Sequence, residues 1–382
     1  MEKGSGVARE CDFLIVGSGI AGASAAYHLA DRGSVLLLER ESQPGYHSTG
    51  RSAAVFAESY GPRLMRAMTV ASGPFLRKPP AGFSDVPLMH PRGALFIARQ
   101  DQRTLLEELV KELSELSDDL QLIGAEEALT LCPVLKRDYV ALAARDPTVM
   151  DMDVNAIHQG YLRGARSKGA EVVTNAEVTA LERHGGVWQS RTKAGDFRAP
   201  IVINAAGAWA DVVAGLAGAR KIGLQPKRRT VIVFDAPART EMSRFPIAAD
   251  CSEQFYFKPE SGRVLASPAD ETPVEPQDVQ PEELDVALVV DRVERASTLK
   301  VERIFRRWAG LRSFVADKNP VVGFAPDVPG FFWLAGQGGY GIQTSYAMGL
   351  TAASLATGKG LPESVKKFGL SETDLGPARL WR

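Results

Sequence analysis

Short, nearly unbroken apolar runs stand at Phe13–Val16, Val35–Leu38, Ile201–Asn204 and Phe331–Ala335. Runs of this length without polar alternation mark strands buried on both faces, as in a parallel sheet. Between them the spacing turns helical. Leu64, Met65, Met68 and Phe75 share one side of a helix predicted over 62–78, and Leu105, Leu106, Leu109 and Leu113 do so over 102–116. Further helices are predicted at Ala125–Leu131, over 285–298, and over 151–167 with Ile157, Tyr161, Leu162 and Ala165 inward and Asp153 as cap. Strands are predicted at 93–98, 169–174, 177–183 and 187–191, the last two forming a meander across Gly185 and Gly186. Residues 221–319 are strand-rich. Alternation at 255–257 sets Tyr256 on the opposite face from Phe255 and Phe257.

The first run opens an organised unit. Gly17, Gly19 and Gly22 follow it as G-x-G-x-x-G, ahead of small apolar residues over 20–31, the second strand, and Glu39, 20 residues after Gly19. The first glycine permits a tight turn, the second lets backbone approach a pyrophosphate, and the third lets helix press on strand. The helix N-terminus offers unpaired N–H groups to phosphates. A carboxylate at 39 can accept from both ribose hydroxyls and repels a 2′-phosphate. This order of parts points to an adenine dinucleotide other than NADP. A donor-rich loop over 40–54 suits phosphate or a heterocycle. A second glycine-rich turn, Gly336-Gln-Gly338-Gly339-Tyr-Gly341, precedes a helix predicted over 343–356.

At 382 residues the chain exceeds the ~250–300 at which single cores stop growing, so two domains are expected. Segments 8–78, 145–215 and 320–365 carry the nucleotide-binding features, 79–144 and 216–319 form a substrate domain, and 366–382 a tail. An NAD-type enzyme usually keeps its dinucleotide segment contiguous; interleaving favours FAD. The expected class is α/β: a Rossmann-like domain with an interleaved α+β, mixed-sheet domain. A net charge of −1 gives no electrostatic attraction to nucleic acid or an anionic membrane. Cys11, Cys132 and Cys251 form no C-x-x-C, and no two histidines are spaced H-x-x-x-H. That disfavours a metal centre or a disulfide framework and fits a reducing compartment. No run reaches the ~18–20 apolar residues of a membrane span, and Met1 to Glu10 lacks a signal-peptide core, so a cytoplasmic protein is expected.

The motifs Val16-Gly-Ser-Gly-Ile-Ala-Gly-Ala-Ser24, Gln43-Pro-Gly-Tyr-His-Ser-Thr-Gly-Arg-Ser-Ala-Ala54, His158-Gln-Gly-Tyr-Leu-Arg-Gly164 and Asn204-Ala-Ala-Gly-Ala-Trp209 are joined by Leu224-Gln-Pro-Lys-Arg-Arg229, Trp308-Ala-Gly-Leu-Arg-Ser-Phe314 and Gln337-Gly-Gly-Tyr-Gly-Ile-Gln-Thr-Ser345. Together they resemble the FAD-dependent D-amino-acid oxidase/glycine oxidase superfamily over nearly the whole chain, most closely its bacterial D-arginine dehydrogenases. The resemblance implies a D-amino-acid-oxidase-like fold and non-covalent FAD; no cysteine falls at 309–314, where some relatives attach flavin. Glu39 and Arg40 would hold the adenosine ribose, and Gly17, Gly19, Ile20, Ala21 and Gly22 the pyrophosphate. Ser48, Thr49, Arg51, Ser52, Ala53 and Ala54 would line the ribityl chain and ring. Val178 would meet the adenine, with Ala206, Gly207 and Trp209 nearby. Gly310, Gly338, Tyr340, Gly341, Ile342 and Thr344 complete the cofactor set.

The implied reaction is oxidation of a D-amino acid at Cα by hydride transfer to flavin N5, followed by hydrolysis to a 2-oxo acid and ammonia. Quinone or oxygen would accept the electrons. Arg312 would clamp the carboxylate bidentately, a task for arginine rather than lysine. Arg229 and Tyr256 would assist, Tyr60 would lie on a mobile loop over the pocket, and Gly339 and Gln343 would approach the flavin pyrimidine end. No residue is an obvious general base. In the arginine-specific relatives a glutamate meets the substrate guanidinium; Ala94 stands there, with Val55 replacing a histidine and Ala57 a threonine. Without that carboxylate a cationic side chain would be buried unpaired, so neutral apolar or aromatic side chains are expected. The alternatives are an oxidase of glycine or sarcosine and a non-catalytic FAD-binding assembly factor.

Overall fold

A computed structural model describes residues 8–114, 119–237 and 241–381. The predicted leader up to residue 7 and positions 115 and 116 of the predicted second helix lie outside the described residues. The four apolar runs become the adjacent central strands of a six-stranded sheet. Its order is Glu171–Val173, Val35–Leu38, Phe13–Val16, Ile201–Asn204, Phe331–Ala335, Val321–Phe324. All pairings are parallel except the last. Alternate residues face opposite ways. Phe13, Ile15, Leu37, Ile203 and Phe332 join a core with helices Ile20–Leu29, Val154–Arg166 and Ser345–Ala356. Leu14, Leu36, Val202 and Trp333 join a second core under the meander Ala180–His184, Val187–Thr192, Gly195–Ala199. Helix packs tightly on helix here: a side chain at Gly349 would meet the Ser24 backbone at 2.6 Å.

A nine-stranded mixed sheet stands beside the first. Its order is Thr272–Pro273, Gln225–Asp235, Arg263–Ser267, Tyr256–Glu260, Ile247–Asp250, Ala94–Ala98, Leu142–Asp146, Gln121–Gly124, with Ile304–Phe314 paired along Gln225–Asp235. One face buries Leu95, Ile97, Ile232, Phe234, Ala248, Phe255 and Phe257 against helices Ala125–Leu131 and Glu283–Ala296. The opposite face forms the wall of a cavity.

Local reading departs from the structure at a few places. Asp151 is not helical: Met150–Met152 is a strand, and Asp151 accepts from Lys258 (2.7 Å) and Arg92 (2.6 Å). The helix starts at Val154, with the Asp153 carboxylate accepting the Ala156 N–H at 2.8 Å. Leu105 is 44% exposed because helix Arg103–Leu113 buries only the stripe of Leu106 and Leu113. The polar strand Gly195–Ala199 carries no apolar run and was not expected. Among the described residues no helix is long and apolar enough to cross a membrane.

Candidate active site

At the end of the first strand Gly17 takes φ +99°, a backbone state closed to most side chains, and a Cβ there would meet the Ala205 carbonyl oxygen at 2.5 Å. A Cβ at Gly22 would meet the Gly17 oxygen at 1.9 Å. Thr49 Oγ1 accepts the Ile20 N–H at 3.0 Å. The next two N–H groups, of Ala21 and Gly22, find no partner among the described residues. Glu39 is buried and braced: Oε2 accepts from the Ser18 N–H (3.1 Å) and hydroxyl (2.6 Å), and Oε1 from the Glu41 N–H (3.0 Å). Burial lowers the His158 pKa, and the neutral ring donates from Nε2 to the Ser18 carbonyl at 2.8 Å.

A chamber of about 150 Å³ lies over this turn, lined by Gly17, Gly19, Glu39, Arg40, Val178, Ala206, Gly207 and Trp209. The Arg40 guanidinium sits 4.8 Å from the Trp209 ring centroid. Gly19, Ser48, Thr49 and Gly207 also line a second chamber of about 480 Å³, so the two adjoin. An elongated trough with helix N–H groups, a tight glycine turn that leaves no room for a Cβ at Gly17 or Gly22, and a braced acid fits an adenine dinucleotide.

The larger chamber runs past Ile20, Ala21, Arg51, Ser52, Ala53 and Ala54 to Gly310, Gly338, Tyr340, Gly341 and Ile342. Strand alternation builds its wall. Ala94 and Phe96, Ile247 and Ala249, Tyr256, Arg229 and Val231, and Gly310 and Arg312 all present one sheet face to the cavity. Val55, Ala57, Ala94, Val149 and Ile247 cluster there with Tyr60, Phe96 and Tyr256.

Arg312 is the centre of this wall. Its Nη1 donates to the Tyr60 hydroxyl at 3.1 Å, and among the described residues no carboxylate pairs with it. Burial works to lower its pKa, but the oxygens of Tyr60 and Tyr256 outweigh this and hold it above the usual arginine value. Gly339 packs on the guanidinium; a Cβ there would meet its carbon at 2.6 Å. Tyr60 leans on Tyr340, ring centroids 5.0 Å apart. Arg229 lines the same cavity but is already engaged: Nε donates to the Asp270 carbonyl (2.9 Å) and Nη2 to Glu271 (3.3 Å). Burial, then the neighbouring Arg312, lowers its pKa.

Every site residue expected from sequence lines one of the two chambers except Gly22 and Thr344. Gly22 faces Gly17, and Thr344 is buried with its hydroxyl donating to the Tyr340 carbonyl at 2.9 Å. Three polar groups line the cavity but spend their donors elsewhere. Arg51 donates to Val279 (3.0 Å) and Ala309 (3.1 Å) carbonyls and pairs with Asp278, while the Ser48 hydroxyl donates to Leu311 at 2.7 Å. Gln343 spans two elements, accepting from the Ala57 N–H (3.2 Å) and donating to Thr69 (3.0 Å), which makes it a brace. The Tyr60 loop is tied at its neighbours too: Ser59 donates to Asp146 at 2.5 Å and Glu58 pairs with Arg77 at 2.7 Å. Sequence reasoning missed Phe96, Val149, Ile247, Ala249 and Glu271. The alternation that placed Ala94 also placed Phe96, which is the signal that could have found it.

The chain is 28% identical to FAD-dependent oxidoreductase domain-containing protein 1 of Xenopus laevis, over 90% of this chain and 78% of that protein. It is 26% identical to hydrogen cyanide synthase subunit HcnC of Pseudomonas aeruginosa, over 94% and 95%. The crystal structure of glycine oxidase from Geobacillus kaustophilus superposes with a TM-score of 0.81 at 22% identity, covering 94% of this chain and 98% of that one. The fold is thus the mixed α/β one expected, and the dinucleotide is FAD. The model of the DAO family, FAD dependent oxidoreductase, matches residues 12–355, and the chain belongs to that family.

Proposed function

We propose that this oxidoreductase acts on amino acids, removing hydrogen from Cα of a substrate whose carboxylate pairs with Arg312. The observation that carries the reading is a desolvated guanidinium without a carboxylate partner among the described residues, beside an apolar cluster. A guanidinium held in its charged form on a cavity wall is suited to pair with a substrate carboxylate. Bound FAD, held without a covalent bond, supplies the hydride acceptor. Arg312 and the Tyr60 and Tyr256 hydroxyls fix the carboxylate, so a side chain lying on Val55, Ala57 and Ala94 sets the remaining orientation of Cα. Gly339 keeps the guanidinium in place, and Gln343 ties the Tyr60 loop to the helix Arg63–Arg77. None of the five histidines lines the larger chamber, and the amine either gives its proton to water or binds neutral.

The family resemblance favours D-amino acids, and the apolar cluster favours neutral apolar or aromatic side chains. An anaerobic flavin-reduction panel of D- and L-amino acids tests this. D-methionine, D-leucine and D-phenylalanine should bleach the flavin faster than D-arginine or D-lysine. Equal or faster reduction by the cationic pair, or reduction by L-isomers alone, overturns the specificity; no reduction by any amine would favour an assembly factor. One reoxidation trace with oxygen then separates oxidase from quinone-linked dehydrogenase.

A further inference from the structure

The cavity continues beyond the cluster that would receive a leucine or phenylalanine side chain. Phe96 lies one pleat repeat, about 6.6 Å, beyond Ala94 on the same face, and Ala249 stands opposite it, beyond Ile247. Helix Arg103–Leu113 lies across this end of the sheet, and its Leu109 and Leu113 line the same cavity. The end wall is fixed, because the buried Arg66 guanidinium donates to the Leu113 carbonyl at 3.1 Å. An apolar arm left open at one end of a binding cavity is space for a ligand. Glu112 and Glu253 also line the cavity, and they disfavour a negatively charged tip.

We infer that this arm seats the far part of the substrate side chain, so that preferred substrates are 2-amino acids with long, unbranched side chains that carry no negative charge. Phe96, Leu109 and Leu113 then set the length limit. The inference rests on Arg312 as the carboxylate clamp, and the test separates the two.

Holoenzyme is titrated with linear carboxylates from butanoate to decanoate, read by the change in bound-flavin absorption. Turnover is measured in parallel for the matching 2-amino acids. Affinity should tighten about fourfold per methylene, the ~0.8 kcal/mol of a buried CH₂, well past hexanoate. Leu113→Trp should abolish the gain beyond hexanoate while butanoate binds within twofold of wild type. Leu109→Trp, at a half-buried position, serves if Leu113→Trp does not fold. Affinity that levels off at pentanoate, or a Trp variant with an unchanged slope, overturns the arm alone. No spectral change at any length overturns the clamp and the arm with it.

Discussion

The paired strands Gln225–Asp235 and Ile304–Phe314 show two faces with opposite electrostatics. On one face Arg228 is enclosed by three carboxylates: Asp285 at 2.9 Å, Asp270 at 3.7 Å, and Glu282. On the other, Arg229 has one carboxylate and Arg312 has none among the described residues. The same residue type in the same ribbon is neutralised by the chain on one side and left for a ligand on the other. A caged arginine holds structure together; an uncaged one on a cavity wall marks where a carboxylate enters.

Arg312→Met should separate these roles most sharply. Turnover of the best amino acid should fall roughly 10³-fold or more, about 4 kcal/mol, while the thermal midpoint changes little because no protein carboxylate loses its partner. A variant that kept its substrate affinity would erase the contrast. Arg228→Met should do the reverse. It strands buried carboxylates and should destabilise by about 3–5 kcal/mol in denaturant melts, with turnover per folded molecule little changed. Tyr60→Phe removes the acceptor of the Arg312 N–H and should lower kcat/KM about tenfold, roughly 1–1.5 kcal/mol. The pH terms are smaller. Because the Arg312 pKa is held up, butanoate affinity should stay flat from pH 6 to 9. Burial raises the Asp270 pKa, so the folded state binds that proton more tightly than the unfolded chain. Its contribution to stability therefore falls as pH rises from the ordinary aspartate range through the raised value. Melts of Asp270→Asn across that range should lack this slope.

The nucleotide cradle was legible because its logic is local: Gly17, Gly22 and Glu39 act within one βαβ unit, at spacings set by strand and helix geometry. Arg312 and Ala94 were expected at the site by resemblance, and Tyr256 by resemblance together with alternation. What escaped was set by register between distant strands. Arg51 and Ser48 line the cavity, but their side-chain donors go to the Ala309 and Leu311 carbonyls of the strand Ile304–Phe314, and those of Arg51 also to Val279 and Asp278. The Glu271 partner of Arg229 and the carboxylates around Arg228 follow from packing that no short window of residues encodes. Asp151 misled for the same reason, since its partners Lys258 and Arg92 lie far off in the chain.

The strand Phe331–Ala335 enters the six-stranded sheet between Ile201–Asn204 and Val321–Phe324. A nascent polypeptide lacks it until residue 335 clears the exit tunnel, and Ile201–Asn204 meanwhile offers bare backbone to any passing strand. Gly339, the seat of the Arg312 guanidinium, emerges later still. The six-stranded sheet and the cavity wall are therefore completed only near the end of synthesis.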